Sequence, residues 1–553
     1  MKLCAPVSPA RRCTNPALDK TNVTYRRLTV LFAAGAVVSR VLFWVVTRRV
    51  WEDALVTLSA ARNLWLGNGP VHHTGDGEVQ SFTSPLGLLV AATGESVGQG
   101  LLFVRLVSLV CSVVTIAMAA RISERIGVKP IAAVAVLAFL AFDQLQIMFG
   151  MAGMETQVAT AVILACWLMA LQRRWSVAFL LAGLAVLCRP EFGLFSVALL
   201  LLAAVRFPES RSRLYVALVA AVPVLAVLTL WTGDLVPNTI FAKSLYPWSG
   251  LQLHDISEYR SYVGDFWKPW SPLRSYNFTV TTPFPPFLLQ LAAVVLLVLA
   301  LVGMARCTRE NILSLPAVVL VIGFVAYEIV FLVPRYFMWY VPPIAAIVVI
   351  FAGAGLSRLS LHAPRASVVL VVTVSLLYAV HIPFTFPLER RVQDDIEEGV
   401  RTPIGRVLGE AMQPGDTVVL EPPGFIGWAA GDVVMYDYPG LTSRTAVSFL
   451  AGIPRGERTL FRMIQELDPT YVVLRRSEYE WFTTNMPNVA TRFEELAEFK
   501  SPEHLDLEWW GVRYFSIDTD FVVLRRHPAM PTTSVRAIST SARLSDPNDH
   551  PAE

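Results

Sequence analysis

Residues 28–53 read LTVLFAAGAVVSRVLFWVVTRRVWED, and the fold turns on this stretch. Its apolar run, Leu28–Val46, is long enough to cross a bilayer core. Arg11, Arg12, Lys20, Arg26 and Arg27 precede it, no small-residue cleavage site follows, and further apolar runs do. It therefore reads as a first membrane helix, not a removed signal peptide. Just beyond it stand Arg48, Arg49 and the acidic pair Glu52-Asp53. Charges in or beside a membrane span are costly, so a cluster of them marks a functional site by default.

The rest of the 553-residue chain agrees. It is 54% hydrophobic and only 16% charged, with a mean hydropathy of +0.52, a profile foreign to ordinary soluble domains. The net charge of +3 carries little meaning, because placement matters more than the sum. No basic stripe with interleaved aromatics is present, which argues against a nucleic-acid partner. Cys4, Cys13, Cys111, Cys166, Cys188 and Cys307 lack metal-ligand spacing and imply no disulfide framework.

Apolar spans fall at 28–47, 101–120, 130–149, 156–172, 176–188, 192–205, 214–232, 286–305, 312–333, 336–356 and 366–386. They predict a mainly α, polytopic membrane protein of about eleven transmembrane helices. With the N-terminal tail 1–27 in the cytoplasm, the inner loops hold Arg121/Arg125/Lys129, Arg173/Arg174, Arg206/Arg211/Arg213, Arg306/Arg309 and Arg358/Arg365. All are basic, as the positive-inside rule expects, with Arg48 and Arg49 the main exception. The outer segments are then 48–100, a turn near 150–155, Arg189-Pro190-Glu191, the 233–285 loop, Pro334-Arg335 and everything after about 387.

On this topology Arg40, Arg105, Asp143, Glu155, Glu328 and Arg335 all lie in outer halves or at outer ends of spans. Each has a structural reading, Glu155 as a helix cap and Asp143 as a partner of a nearby arginine. Their shared side is harder to explain that way. Leu86–Val97 is too short to span and is expected to be re-entrant or interfacial. The aromatics of the 233–285 loop, from Tyr246 to Tyr276, suit the headgroup layer.

After Phe386 the composition becomes hydrophilic. Residues 402–412 and 457–467 read as helices, and Thr417–Glu421, Tyr471–Arg475 and Phe521–Arg526 as strands. The transmembrane part, 28–386, is thus expected to carry a small extracytoplasmic α/β domain over 387–527. The Ser/Thr/Pro-rich tail 528–553 has a disordered composition.

An enzyme facing outward has no nucleotide pool, and the activated sugar usual there is a polyprenyl-phosphate sugar. Transfer from it needs a carboxylate to take a proton from the acceptor hydroxyl, worth typically about 10²–10⁴-fold. It also needs cations to hold the leaving phosphate. Glu52 and Asp53 meet the first need. Arg62, His72, His73, Arg189, Lys243 and Arg335 are candidates for the second, although the His72-His73 pair also reads as a solvated turn.

Several strings, taken in order, resemble one family. Trp51-Glu52-Asp53-Ala54, Ala61-Arg62-Asn63-Leu64, Gly67-Asn68-Gly69 and Ser81-Phe82-Thr83-Ser84-Pro85-Leu86 look like the acidic first-loop signature of GT-C glycosyltransferases. Gly153-Met154-Glu155-Thr156, Arg189-Pro190-Glu191, Pro237-Asn238-Thr239 with Ala242-Lys243, and Arg335-Tyr336 continue the match. Gly424-Phe425-Ile426-Gly427-Trp428 and Asp437-Tyr438-Pro439-Gly440-Leu441-Thr442 extend it into the hydrophilic part. Together they resemble the actinobacterial terminal arabinofuranosyltransferases and their relatives.

The resemblance implies a GT-C fold, a polyprenyl-phosphate sugar donor (best matched by arabinofuranose), a cell-envelope polysaccharide or glycolipid acceptor, and an inverting displacement at a multi-pass cell membrane protein. Asp53 matches the second of the family's paired acids and is the first choice as base. Glu155, Glu191 and Asn238 enter as substrate-binding candidates on the same footing. Glu52 stands where Asp is more common, which leaves open which acid is the base and whether a divalent metal ion takes part. On an extended segment the two acids would point to opposite sides, so only one is expected to face the acceptor. A mannosyltransferase of the same fold, a transporter or flippase of lipid-linked glycan, and a noncatalytic glycan-binding assembly protein are the competing readings. Against the transporter stand the lack of visible inverted repeats and the crowding of charge at one face.

Overall fold

The computed structural model describes residues 16–246, 286–331, 337–360, 363–380, 382–502 and 518–528. Helices occupy the positions of all the expected spans. In chain order they begin α1 (Pro16–Thr47), α2 (Glu52–Trp65), α3 (Pro85–Glu95), α4 (Gly100–Arg125), α5 (Pro130–Phe142) and α6 (Gln144–Met151). They continue α7 (Thr156–Leu171), α8 (Trp175–Cys188), α9 (Gly193–Arg206), α10 (Tyr215–Thr232) and α11 (Asn238–Leu245). The helices Pro286–Glu310, Leu315–Phe331, Val341–Leu359 and Pro364–Val380 complete the bundle. Among the described residues, six helices are long and apolar enough to cross a membrane by length and composition alone.

Burial sorts these helices. The most apolar window of Met338–Leu359 is wholly buried, so this helix is the bundle's axis, whereas that of Pro208–Thr232 is only 11% buried and faces outward. Small residues allow the close packing. A Cβ on Gly303 would lie 1.8 Å from the Phe351 carbonyl, and one on Gly355 would lie 2.1 Å from that of Leu299. Backbones approach this closely in membrane bundles only where such side chains are absent.

The span expected at 130–149 is in fact two helices, broken at Asp143. Its carboxylate caps α6 by accepting from the amides of Leu145 (3.1 Å) and Gln146 (3.2 Å). Arg40 of α1 meets the other side of the break, donating to the carbonyls of Leu140 (3.1 Å) and Ala141 (3.2 Å). Arg105 likewise donates to the carbonyls of Met151 (3.0 Å) and Arg49 (2.8 Å). In an apolar bundle every freed backbone group needs a partner, and these three charges supply them. Their location at one end thus has a structural cause. The side chain of Glu328 and the whole of Arg335 lie outside the described residues.

α3 is an 11-residue helix capped by Ser84, whose Oγ accepts from the Gly87 amide at 3.0 Å. This fits the expected short, non-spanning element. α1 starts at Pro16, twelve residues before the apolar run, so much of the N-terminal tail read as cytoplasmic is helical.

Beyond the bundle, a π-helical segment Val392–Arg401 leads into the helix Thr402–Ala411 and a five-stranded sheet. The strands are β1 (Thr417–Leu420), β2 (Val434–Asp437), β3 (Tyr471–Arg475), β4 (Phe493–Lys500) and β5 (Asp520–Arg526), in spatial order β2-β1-β3-β5-β4. β1 runs parallel to β2 and β3, and β5 antiparallel to β3 and β4. Val419, Val472, Leu474, Val522 and Leu524 fill one face, and Val418, Val473, Phe521 and Val523 the other. Continuous apolar strands of this kind need cover on both sides, which the flanking helices give. β2 and β4 were not expected. β4, FEELAEFK, is a charged edge strand whose glutamates hide its period. The tail 529–553 and the loop aromatics from Trp248 to Tyr276 lie outside the described residues.

Candidate active site

The two acids sit in the first turn of α2, not on an extended segment. Trp51 is the last extended residue (φ −88, ψ 145) and serves as N-cap, after which Glu52-Asp53 open the helix. Acidic side chains are favoured there by the helix dipole. Successive helical side chains still diverge by about 100°. Glu52 turns toward the C-terminal part and Asp53 into a pocket of the bundle. The turn before α7 makes room for α2 at Gly153, whose φ of +92 excludes most side chains and where a Cβ would lie 3.0 Å from Ala54.

The pocket is lined by Asp53, Thr57, Ser81, Glu155, Arg189 and Lys243, with Thr239, Trp339, Tyr340 and Leu441 closing it. Seven separate segments meet here: α2, the loop before α3, the α6–α7 turn, the α8–α9 junction, α11, the turn Met338–Tyr340 and the loop that carries Leu441. Arg189 ends α8 in extended conformation because Pro190 follows it. Its guanidinium lies 3.0 Å from Glu155 and 3.6 Å from Glu191, over the face of Tyr340. Lys243 donates to the Tyr340 hydroxyl at 3.2 Å and is boxed by the rings of Phe337, Trp339 and Tyr340.

The Asp53 carboxylate makes no hydrogen bond or ion pair with a described residue, although its backbone carbonyl accepts from Thr57 Oγ1 at 3.3 Å. Burial raises its carboxyl above the usual range, opposed by Lys243 and Arg189 and reinforced by Glu155. Burial also lowers the Lys243 ammonium, while Asp53 pulls it back up. A free, upshifted carboxylate is what a general base requires. Ser81 Oγ and Arg189 Nε are buried without hydrogen-bond partners in the described structure. Orphaned polar atoms on a pocket wall are expected to meet a ligand.

Glu52 belongs to a different assembly. Its carboxylate accepts from the Gly424 amide and lies 3.4 Å from Arg401. Gly424 is required, since a Cβ there would come within 2.6 Å of Glu52 Oε1. Arg401 also holds Glu397 (2.8 Å) and Asp518 (2.6 Å), Asp518 holds Arg475 (2.6 Å), and Glu397 holds Arg49 (2.9 Å). This buried chain of charge joins the end of α1 to the sheet. It also gives Arg49, an exception to the charge rule, two carboxylate partners, the other being Glu389 at 3.2 Å. Burial pushes Glu52 up to about 7 in spite of Arg401.

Other sequence candidates lie outside the pocket. Arg62 stacks on Trp428 at 3.5 Å, fixing α2 against the helix Pro423–Ala430. His72 and His73 are buried against that same part of the chain. Burial holds His72 down at about 3, and His73 Nε2 sits 3.2 Å from the Met435 amide nitrogen. They are not a solvated turn. Asn238 donates to the Gly440 carbonyl at 2.7 Å, tying α11 to the 437–442 loop. Arg335 lies outside the described residues. Among those residues no three His, Cys, Asp or Glu side chains gather as a metal site, and the Asp53–Glu155 pocket holds two cations instead. Ser81, Thr239, Trp339 and Tyr340 were not singled out as site residues. Ser81 and Thr239 stood inside quoted motifs, whereas Arg401, far from Glu52 in sequence, left no signal.

A family model described as a domain of unknown function (DUF8728) matches residues 390–523. No curated protein sequence matches the chain. Among solved structures, the chain is similar to ArnT from Cupriavidus metallidurans bound to undecaprenyl phosphate. That match has 14% identity and a TM-score of 0.51, covering 90% of this chain and 97% of that one. An Archaeoglobus fulgidus oligosaccharyltransferase tethered to an acceptor peptide matches at 14% identity and TM-score 0.44, covering 86% and 73%. At these identities the ArnT likeness establishes architecture alone, and the architecture is that of a GT-C type membrane protein.

Proposed function

We propose that the chain is a membrane glycosyltransferase that moves a sugar from a polyprenyl-phosphate donor to a cell-envelope glycan, on the extracytoplasmic side and with inversion. The observation that carries this reading is Asp53, a half-buried carboxylate that pairs with no described residue, in a pocket that also holds Lys243 and Arg189. Asp53 takes the proton from the acceptor hydroxyl as its oxygen bonds to the anomeric carbon. The anomeric carbon–phosphate oxygen bond breaks, and the charge left on the phosphate falls to Lys243 and Arg189. Buried donors aimed at developing charge act more strongly than they do in water. The bound lipid in the ArnT structure supports a polyprenyl-phosphate donor, and arabinofuranose is the sugar favoured by the motif resemblance. A mannosyl donor suits the same pocket.

Lys243 is the better phosphate clamp, because Arg189 is already shared by Glu155 and Glu191. Lys243→Gln should raise the apparent KM for the donor roughly tenfold or more with little change in Tm, since among the described residues no carboxylate forms a contact ion pair with the cation. Arg189→Ala should also impair donor use, but it leaves the half-buried Glu155 and Glu191 without their shared cation, so Tm should fall with it. Donor titrations and melting curves on the two variants separate these roles. An unchanged KM in Lys243→Gln would remove Lys243 from the phosphate site.

The proposed sidedness puts the sheet and the pocket outside the cytoplasm. A reporter active only in an oxidising compartment, fused after Glu553, is expected to work. Activity of a cytoplasm-only reporter at that point would reverse the topology.

A further inference from the structure

At the end of the bundle away from Asp53, a cavity of about 570 Å³ is lined by Met118, Arg121, Glu124, Arg125, Leu168, Met169, Gln172 and Arg174. α7 runs from the active-site pocket to this cavity, roughly 24 Å for its 16 residues. The cavity is therefore not part of the catalytic site. We propose that it binds the phosphate headgroup of an anionic phospholipid, with Arg121, Arg125 and Arg174 as ligands.

Three observations support this assignment. The wall carries three arginines against one glutamate. Glu124 is engaged by Arg121 at 3.2 Å, and Arg125 and Arg174 have no ion-pair partner among the described residues. The neighbouring Arg173 points elsewhere, over the ring of Phe207 at 5.0 Å.

The backbone at the site is also biased toward an anion. Arg174 is the N-cap of α8 and makes no side-chain cap bond, so the first amides of a 14-residue helix are left with unused donors. The opposing helix ends are closed. The carbonyls of Ser123 and Glu124 in α4 accept from Val128 and Gly127, and those of Met169 and Ala170 in α7 accept from Arg174 and Arg173. Their negative ends are thereby partly satisfied.

Finally, the surface leading to the cavity is suited to acyl chains. Leu106, Val110 and Val113 are exposed on α4, and the same helical face ends at Arg121. Val177 and Leu180 are exposed on α8 just beyond Arg174. The cavity wall adds Met118, Leu168 and Met169 beside the guanidinium groups. A headgroup in the cavity would leave its tails on these apolar faces. Basic pockets between membrane helices hold anionic headgroups in this way.

The test is native mass spectrometry of the full-length protein in detergent, titrated with a diacyl phosphatidylglycerol and, separately, with phosphatidylcholine. The wild type should retain the anionic lipid selectively. The double variant Arg125→Gln/Arg174→Gln, which breaks no ion pair among the described residues, should bind it roughly 10- to 30-fold more weakly, with Tm and glycosyl transfer in detergent unchanged. Low-millimolar inorganic phosphate should not release the lipid. Equal retention by wild type and double variant, equal retention of phosphatidylcholine, or release by phosphate would each overturn the assignment.

Discussion

Asp53→Asn is expected to cut turnover by about 10²-fold or more while leaving expression, detergent stability and donor binding nearly intact. The amide has the shape of the carboxylate but cannot accept the acceptor's proton. The Asp53 carboxylate makes no contact ion pair with a described residue, and Lys243, the buried cation it favours, keeps the Tyr340 hydroxyl and three ring faces. Burial already disfavours the charged acid, and the neutral amide should fold at least as well. Initial rates and melting curves measured on the same preparations decide the matter. Near-normal turnover in Asp53→Asn would remove it as the base. Glu52→Gln should cost much less turnover, because Glu52 faces Arg401 and Gly424 rather than the pocket. Its effect should appear in the pH dependence of stability instead. With its folded value raised to about 7, Glu52 favours the fold in its protonated form. That contribution is fully present below the ordinary carboxylate range and is lost as pH rises through about 7. The amide should flatten this limb of the curve.

The largest expected loss of stability follows from Arg401→Met. Arg401 is 5% exposed at its side chain and bridges Glu52, Glu397 and Asp518. Removing one partner of a buried ionic network costs about 3–5 kcal/mol, because the charges left behind stay desolvated. Glu397 keeps Arg49 and Asp518 keeps Arg475, which softens the loss, but Glu52 keeps only the Gly424 amide. An apparent Tm lower by roughly 5 °C or more is expected, with Arg401→Lys between the two. Turnover should fall as well, since the network fixes the first turn of α2 that presents Asp53. A melting curve identical to wild type would show that the network does not hold the bundle and the sheet together.

Much of this architecture is legible in the sequence, and for a physical reason. A bilayer demands long apolar runs with internally satisfied backbones, so each helix of the bundle announces itself by composition. The pocket was half legible. Asp53, Glu155, Arg189 and Lys243 are conspicuous because charge near a membrane span is costly, and the fold brings all four together. The break at Asp143 was hidden because its cap and the Arg40 donors are tertiary features inside one apolar run. The histidines misled for a similar reason. His72-His73 in a glycine-rich loop reads as solvated, yet the helix Pro423–Ala430 lies against His72 and β2 against His73. β4 was masked by its edge-strand glutamates, and Arg401 met Glu52 only through folding over 349 residues.

Transfer from a lipid-phosphate sugar with Asp53 as base is open to a direct measurement. The most direct test is to incubate the purified protein and its Asp53→Asn variant with a panel of polyprenyl-phosphate sugars and a cell-envelope glycan acceptor, following each donor. Wild type should consume one donor class, release polyprenyl phosphate and yield a product of inverted anomeric configuration, while the variant should do so about 10²-fold more slowly. Equal consumption by wild type and variant, or a product of retained configuration, would contradict it.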